Sequence, residues 1–285
     1  MQLGDLVKLK NGAKKTSLFL KVSLFLAILI LAVAVWQNTK RQGPPQASQF
    51  FTGSQNLQKP SPSPARNASL EAIFQNEIPQ LLGKWAIMAK DLKMGQAYQF
   101  NQDGVFEAAS IYKLAVMWAV YDAHLENDET VKRQLDSMIT ISDNDSAVAL
   151  AERLGWTNIT KLMQKEGLGG FDLSTETPTV TAKSISVLLE RIYTKTAVSQ
   201  SASDQMQNLL FGQKINDRIP KYLKKEVKVG HKTGELDALR HDAGIIIGQR
   251  GEYIFVFLSQ TNVPADATET IALLSKKLLD ALESP

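Results

Sequence analysis

Two hairpins bracket a helical middle, and that arrangement limits the folds open to this chain. Lys84–Asp91 and Gln96–Asn101 read as strands on either side of a Lys93-Met94-Gly95 turn, because both are short, rich in apolar residues and bounded by turn formers. Ala243–Gly248 and Tyr253–Gln260 repeat the pattern across Gln249-Arg250-Gly251. Between them, helical periodicity covers Ser110–His124, Ser146–Leu154, Thr157–Glu166 (stopped by Gly167) and Thr181–Tyr193. An opening amphipathic helix runs over Leu70, Ile73, Phe74, Ile78, Leu81 and Leu82, and a closing one over about Thr268–Leu282. Strands drawn from both ends of such a segment make one antiparallel sheet covered by the first and last helices. The middle helices form a mostly α subdomain, with a cleft where the two parts join. The expected fold class is α+β.

Ahead of this segment the chain changes character twice. Ser17 to Trp36 is about the length needed to cross a bilayer, and its only charge is Lys21. Lys8, Lys10, Lys14 and Lys15 precede it, a bias that keeps residues 1–16 in the cytoplasm. Residues 17–36 are therefore expected to be an uncleaved single-pass signal anchor. The alternative is a signal peptide cleaved after Ala32-Val33-Ala34, which would release the rest. From 37 to 67 the composition turns to Gln, Ser, Pro and Gly, with Pro44-Pro45 and the run from Lys59 to Pro64. A segment of that kind buries little and is expected to be a disordered tether. The folded domain then spans 68–285, outside the cytoplasm on either reading.

Composition removes several classes of chemistry. There is no cysteine, which excludes a disulfide framework, a lipid-modified N-terminal cysteine and a thiolate nucleophile. His124, His231 and His241 lack zinc-ligand spacing, so no metal and no cofactor is expected. A net charge of +3 gives no argument for nucleic acid, and a monomer is expected.

Three short motifs then follow in order: Ser110-Ile-Tyr-Lys113, Ser142-Asp143-Asn144 and Lys232-Thr233-Gly234. Taken singly each has an ordinary explanation: an N-cap serine, a capping turn and an edge-strand lysine. Together they describe a site. Ser110 opens a helix, whose positive end favours the negative charge that develops when a hydroxyl attacks a carbonyl. Lys113, at i+3, shares its face. To act as a base Lys113 must be desolvated or set beside another cation, which lowers its pKa. Ile111, Leu114 and Trp118 supply apolar surroundings, and Lys232 could supply the charge.

That ordered set resembles the signature of the penicillin-recognising serine enzymes, and from about Leu70 onward the chain is similar to their class A β-lactamase branch. The resemblance implies a β-lactamase/transpeptidase-like fold, an antiparallel sheet flanked by terminal helices plus a trimmed all-α subdomain. It also implies acyl-enzyme chemistry. Ser110 would be the nucleophile, and Ser142 would relay a proton to the leaving nitrogen. Asn144 would hold Lys113 and the substrate amide, while Asp143 would satisfy backbone donors. Lys232 and Thr233 would bind the substrate carboxylate, and Gly234 would let its backbone approach. The oxyanion hole would be the backbone N–H groups of Ser110 and Glu235. Arg218 and Arg240 are candidates for a second carboxylate contact, each with a surface arginine as the simpler reading. His231 and His241 flank the same stretch without an aspartate partner visible in the sequence, so a Ser-His-Asp triad stays a distant alternative.

The resemblance breaks at one place. The class A loop that carries E-x-x-L-N, whose glutamate activates the deacylating water, has no counterpart here. Glu166 lacks that context, and Asp172 and Glu176 are the nearest surrogates. Acylation by a β-lactam or a peptidoglycan stem peptide is expected, with β-lactam hydrolysis as the committed activity. The alternatives are a membrane-anchored D-Ala-D-Ala peptidase or transpeptidase and a non-turnover sensor of β-lactams or wall fragments.

Overall fold

The computed structural model describes residues 64–284. The expected anchor at 17–36 and the tether up to residue 63 lie outside the described residues. The fold opens with α1 (Pro64–Ala72), which loosens through a π turn (Ile73–Glu77) and a 3-10 turn (Ile78–Gln80). Pro79, which has no N–H to donate, sits where the helix gives out. As a result Leu82, expected on the apolar face, is 75% exposed. The helix also starts ahead of the expected boundary at 68. Arg66 is buried in an ion pair with Asp91, and the Asn67 carboxamide oxygen accepts from the Tyr98 hydroxyl at 2.6 Å.

Five strands make one antiparallel sheet: β1 (Lys84–Asp91), β2 (Ala97–Phe100), β5 (Lys228–Leu236), β6 (Leu239–Ile247) and β7 (Glu252–Gln260), in the order β2-β1-β7-β6-β5. Alternation along each strand divides the core. Trp85, Ile87, Tyr253, Phe255 and Phe257 point to one face, where they pack with α1 residues and with Ile271, Leu274 and Leu278 of the last helix, α8 (Pro264–Leu282). Ala86, Met88, Ile254, Val256 and Leu258 point to the other face and join the helical part. Both faces are covered, so these strands read as nearly continuous apolar runs.

The helical part comprises α2 (Lys113–Asp122), α3 (Glu129–Thr140), α4 (Asn144–Leu154), α5 (Trp156–Lys165), α6 (Ala182–Tyr193) and α7 (Gln200–Phe211). Every residue of α2 from Lys113 to Tyr121 is buried, the mark of a helix apolar all round and wrapped on all sides. Two elements were not expected as helices. α3 carries Val131, Leu135, Met138 and Ile139 at helical spacing, behind an Asp128 N-cap that accepts from the Thr130 and Val131 N–H groups. α7 begins Gln-Ser-Ala-Ser and has too polar a composition to declare itself. A two-stranded ribbon, β3 (Val105–Glu107) with β4 (Thr179–Thr181), joins the residues just before Ser110 to the start of α6. Neither strand is long enough to show a period.

Candidate active site

Ser110 sits on a 3-10 turn, Ala109–Tyr112, that feeds directly into α2. Three contacts hold that turn. Ala108 N–H donates to the Pro178 carbonyl at 2.7 Å, and Ile111 N–H donates to the Ala108 carbonyl at 3.0 Å. His241 Nε2 donates to the Glu107 carbonyl at 2.9 Å, tying the turn to β6. Ala109 has a φ of +42°, in the left-handed region that costs an L-residue with a Cβ about 1–2 kcal/mol. Backbone held so against preference by its surroundings is characteristic of functional sites.

Ser142 has the same property, with a φ of +61° between α3 and α4. Asp143 caps α4, its carboxylate accepting from Ser146 N–H at 2.8 Å. These two features turn Ser142 and Asn144 toward α2. There Lys113 Nζ donates to the Ser142 carbonyl at 2.6 Å, to the Asn144 Oδ1 at 2.7 Å and to the Ser142 Oγ at 3.3 Å. From the sheet side Lys232 Nζ donates to the same Ser142 Oγ at 2.9 Å and to the Thr233 carbonyl at 2.8 Å. One hydroxyl thus lies between two buried ammonium groups. Ser110, three residues before Lys113 on the turn that feeds α2, is half-buried.

Burial is the first reason that Lys113 is pushed down to about 8, against a small upward pull from Asp143. Lys232 is pushed down to about 7 by burial and then by the charge of Lys113, with Asp242 opposing. Lysine at its ordinary value could not accept a proton near neutrality; a lysine at about 8 can.

The Lys232-Thr233-Gly234 motif lies in the second half of β5, not at its start as expected, because the strand begins at Lys228. β5 is an edge strand, so one side of its backbone is unpaired within the sheet. Gly234 runs hard against the Ser110 turn: a Cβ there would lie 3.0 Å from Ile111 Cγ1 and 3.2 Å from His241 Cβ. Glu235 follows it, paired in register with Arg240 of β6.

The two arginines differ from the surface reading. Arg218 is fully buried, and both Arg218 and Arg240 form ion pairs with the Glu235 carboxylate. His231 does have an aspartate partner, invisible in sequence because it depends on strand register. Its Nδ1 lies 2.8 Å from Asp242 Oδ1 and its Nε2 lies 3.0 Å from Asn216 Oδ1. Both ring nitrogens are therefore engaged away from Ser110, and the other Asp242 oxygen accepts from Ile219 N–H at 3.0 Å. The pair fastens β5, β6 and the segment before β5 together; it does not form a triad.

His241 is fixed as the neutral ring. Ser259 N–H donates to its Nδ1 at 3.1 Å, so the proton is on Nε2. Burial is the main cause holding its pKa down at about 4. The unfolded chain binds this proton at about 6.5, so between these values the unfolded state holds more protons and stability falls as pH drops. His241 alone should account for a loss of about 3 kcal/mol between pH 7 and pH 4. Urea midpoints measured across that window should flatten in His241→Gln, which keeps one donor and one acceptor. A variant profile as steep as the parent's would assign the acid loss to other groups.

None of the loop carboxylates reaches the lysine cluster through a hydrogen bond or ion pair among the described residues. Glu166 lies 3.4 Å from Arg191, Asp172 accepts from Ser174 N–H at 2.9 Å, and Glu176 is exposed. Nor is there, among the described residues, a cluster of side chains suited to a metal ion.

An antiparallel sheet with terminal helices on one face, helices on the other, and a serine-lysine cluster at the join is the architecture of the β-lactamase-like serine enzymes. Three solved structures share the fold over nearly their whole length. A β-lactamase from Sphaerobacter thermophilus superposes with a TM-score of 0.67 at 20% identity, covering 78% of this chain and 98% of its own. PBP-A, as a variant captured in an acyl-enzyme complex with penicillin G, gives 0.70 at 21% identity, covering 76% and 97%. The TLA-1 extended-spectrum β-lactamase gives 0.69 at 19% identity, covering 76% and 99%. No curated protein matches the chain. The model of the beta-lactamase enzyme family matches residues 69–135 and 124–282, and the chain belongs to that family.

Proposed function

We propose that this domain is a serine hydrolase that is acylated at Ser110 by β-lactams and hydrolyses the β-lactam amide. The observation that carries this reading is the single Ser142 hydroxyl shared by the buried Lys113 and Lys232. Neutral Lys113 takes the Ser110 proton as the oxygen attacks the lactam carbonyl, and the oxyanion is met by the Ser110 and Glu235 N–H groups. The C–N bond then breaks, and Ser142 passes a proton to the departing nitrogen while Lys113 restores its own. Lys232 and Thr233 hold the substrate carboxylate, with Gly234 allowing close approach. Water then attacks the ester, and Ser110 leaves with its proton restored. The apolar run at 17–36 would hold the domain at the outer face of a bacterial membrane.

One observation favours a second reading, a D-Ala-D-Ala peptidase or transpeptidase of peptidoglycan that β-lactams block. Glu166, Asp172 and Glu176 all find partners or solvent away from the lysine cluster, leaving no evident base for the deacylating water. Intact-protein mass spectrometry after addition of benzylpenicillin separates the two. A transient adduct with accumulating penicilloic acid is the expected result. A persistent adduct assigns the domain to the peptidase class or to a non-turnover sensor, and no adduct at all removes every acyl-enzyme reading.

A further inference from the structure

The Glu235 side chain stands apart from the acylation chemistry, in which only its backbone N–H takes part. Its carboxylate accepts from Arg218 Nη2 and lies 3.2 Å from Arg240 Nη2. The two arginines are differently held. Arg240 also donates to the Leu236 and Leu239 carbonyls at 2.7 and 2.8 Å. Arg218 is buried, with no hydrogen-bond partner for its Nε and only the Asp217 carboxylate 3.5 Å from Nη1. A buried guanidinium so incompletely satisfied is a strong attractor for a planar carboxylate. Glu235 itself is 54% exposed at its side chain, so it meets solvent while covering both cations. Its position is fixed one residue after Gly234, whose backbone presses on Ile111 beside Ser110.

We propose, resting on the acyl-transfer reading above, that Glu235 determines specificity as a built-in competitor. Its carboxylate occupies Arg218 and Arg240 and so withholds them from a substrate carboxylate, which is left to Lys232 and Thr233 and is bound more weakly than an open arginine pair would allow. A carboxylated substrate retains the attraction of Lys232 but must displace Glu235 or forgo the arginines. Removing the competing charge turns the Arg218–Arg240 pair into an open anion subsite.

The test uses the full-length chain and its Glu235→Gln variant, which keeps the size and an acceptor for Arg218. Calorimetric titration with benzylpenicilloic acid, a ring-opened and unreactive dicarboxylate, should show about tenfold tighter binding in the variant, or about 1.4 kcal/mol. The ratio of acylation efficiencies for benzylpenicillin and its methyl ester should rise by about the same factor. Glu235→Ala should move both readouts in the same direction, which a merely structural counter-ion would not do. Unchanged or weaker binding of the dicarboxylate in both variants overturns the proposal. If neither compound acylates the parent chain, the acyl-transfer reading fails while the calorimetric comparison still decides the role of Glu235.

Discussion

Ser110→Ala is expected to abolish covalent labelling by a fluorescent penicillin, a loss on the order of 10³-fold or more. The size of the effect follows from the chemistry: without the hydroxyl there is no ester, however well the lysines and the oxyanion donors are placed. Ser110 is half-buried on a turn held by backbone contacts from Ala108 and Ile111. Trimming one oxygen there should change stability by less than about 1 kcal/mol. The variant should therefore melt close to the parent while its gel band stays dark. Labelling that persists in a folded variant would mean that another residue carries the acyl group, and the mechanism above would have to be abandoned.

The second large effect is expected at Lys113. Its role as base requires the neutral amine, and with a pKa of about 8 the neutral fraction grows as pH rises through that value. The first-order acylation rate at saturating benzylpenicillin should climb between pH 6 and pH 8 and level off above. Lys113→Arg keeps a cation beside Ser142 and Asn144 but cannot give up its proton, so it separates the base from the charge. Loss of a general base costs about 10²- to 10⁴-fold. Rapid-quench measurements should show a fall of that order, together with loss of the rise near pH 8. A variant that keeps both the rate and the rise would move the base to another group, with Lys232 the first to examine.

The α+β class and the order of the elements were legible in the sequence, and its three motifs named the side chains that the fold then gathers. Three ordered motifs singled out Ser110, Lys113, Ser142, Asn144 and Lys232, and the structure joins the last four in one hydrogen-bonded cluster. Motif spacing is local chemistry written in the chain, whereas the His231–Asp242 and Glu235–Arg240 pairs arise only from the register of β5 against β6. Arg218 is a candidate carboxylate contact in the sequence, with a surface arginine as the simpler reading, and nothing in Asn216-Asp217-Arg218 signals its burial; the counter-charge that permits it comes from Glu235 on another element. The two hairpins were legible because their turns and apolar runs are short-range features. The helix over Gln200–Phe211 was not, since four buried residues, Ala202, Ser203, Met206 and Leu210, give only a thin apolar stripe.

The burial of α2 sets where this protein is free to change. With every side chain from Lys113 to Tyr121 packed inside, almost any replacement there removes contacts or forces others apart, at a cost of about 1–5 kcal/mol. A lineage exploring new substrates would exhaust a marginal stability of about 5–15 kcal/mol within a few such steps. The rim is permissive by contrast: Ile141, just before Ser142, and Leu236, just after Glu235, are 58% and 46% exposed. Change in this domain is thus tolerated best at the lips of the cleft, around a helix whose packing resists replacement quite apart from the chemistry of Lys113.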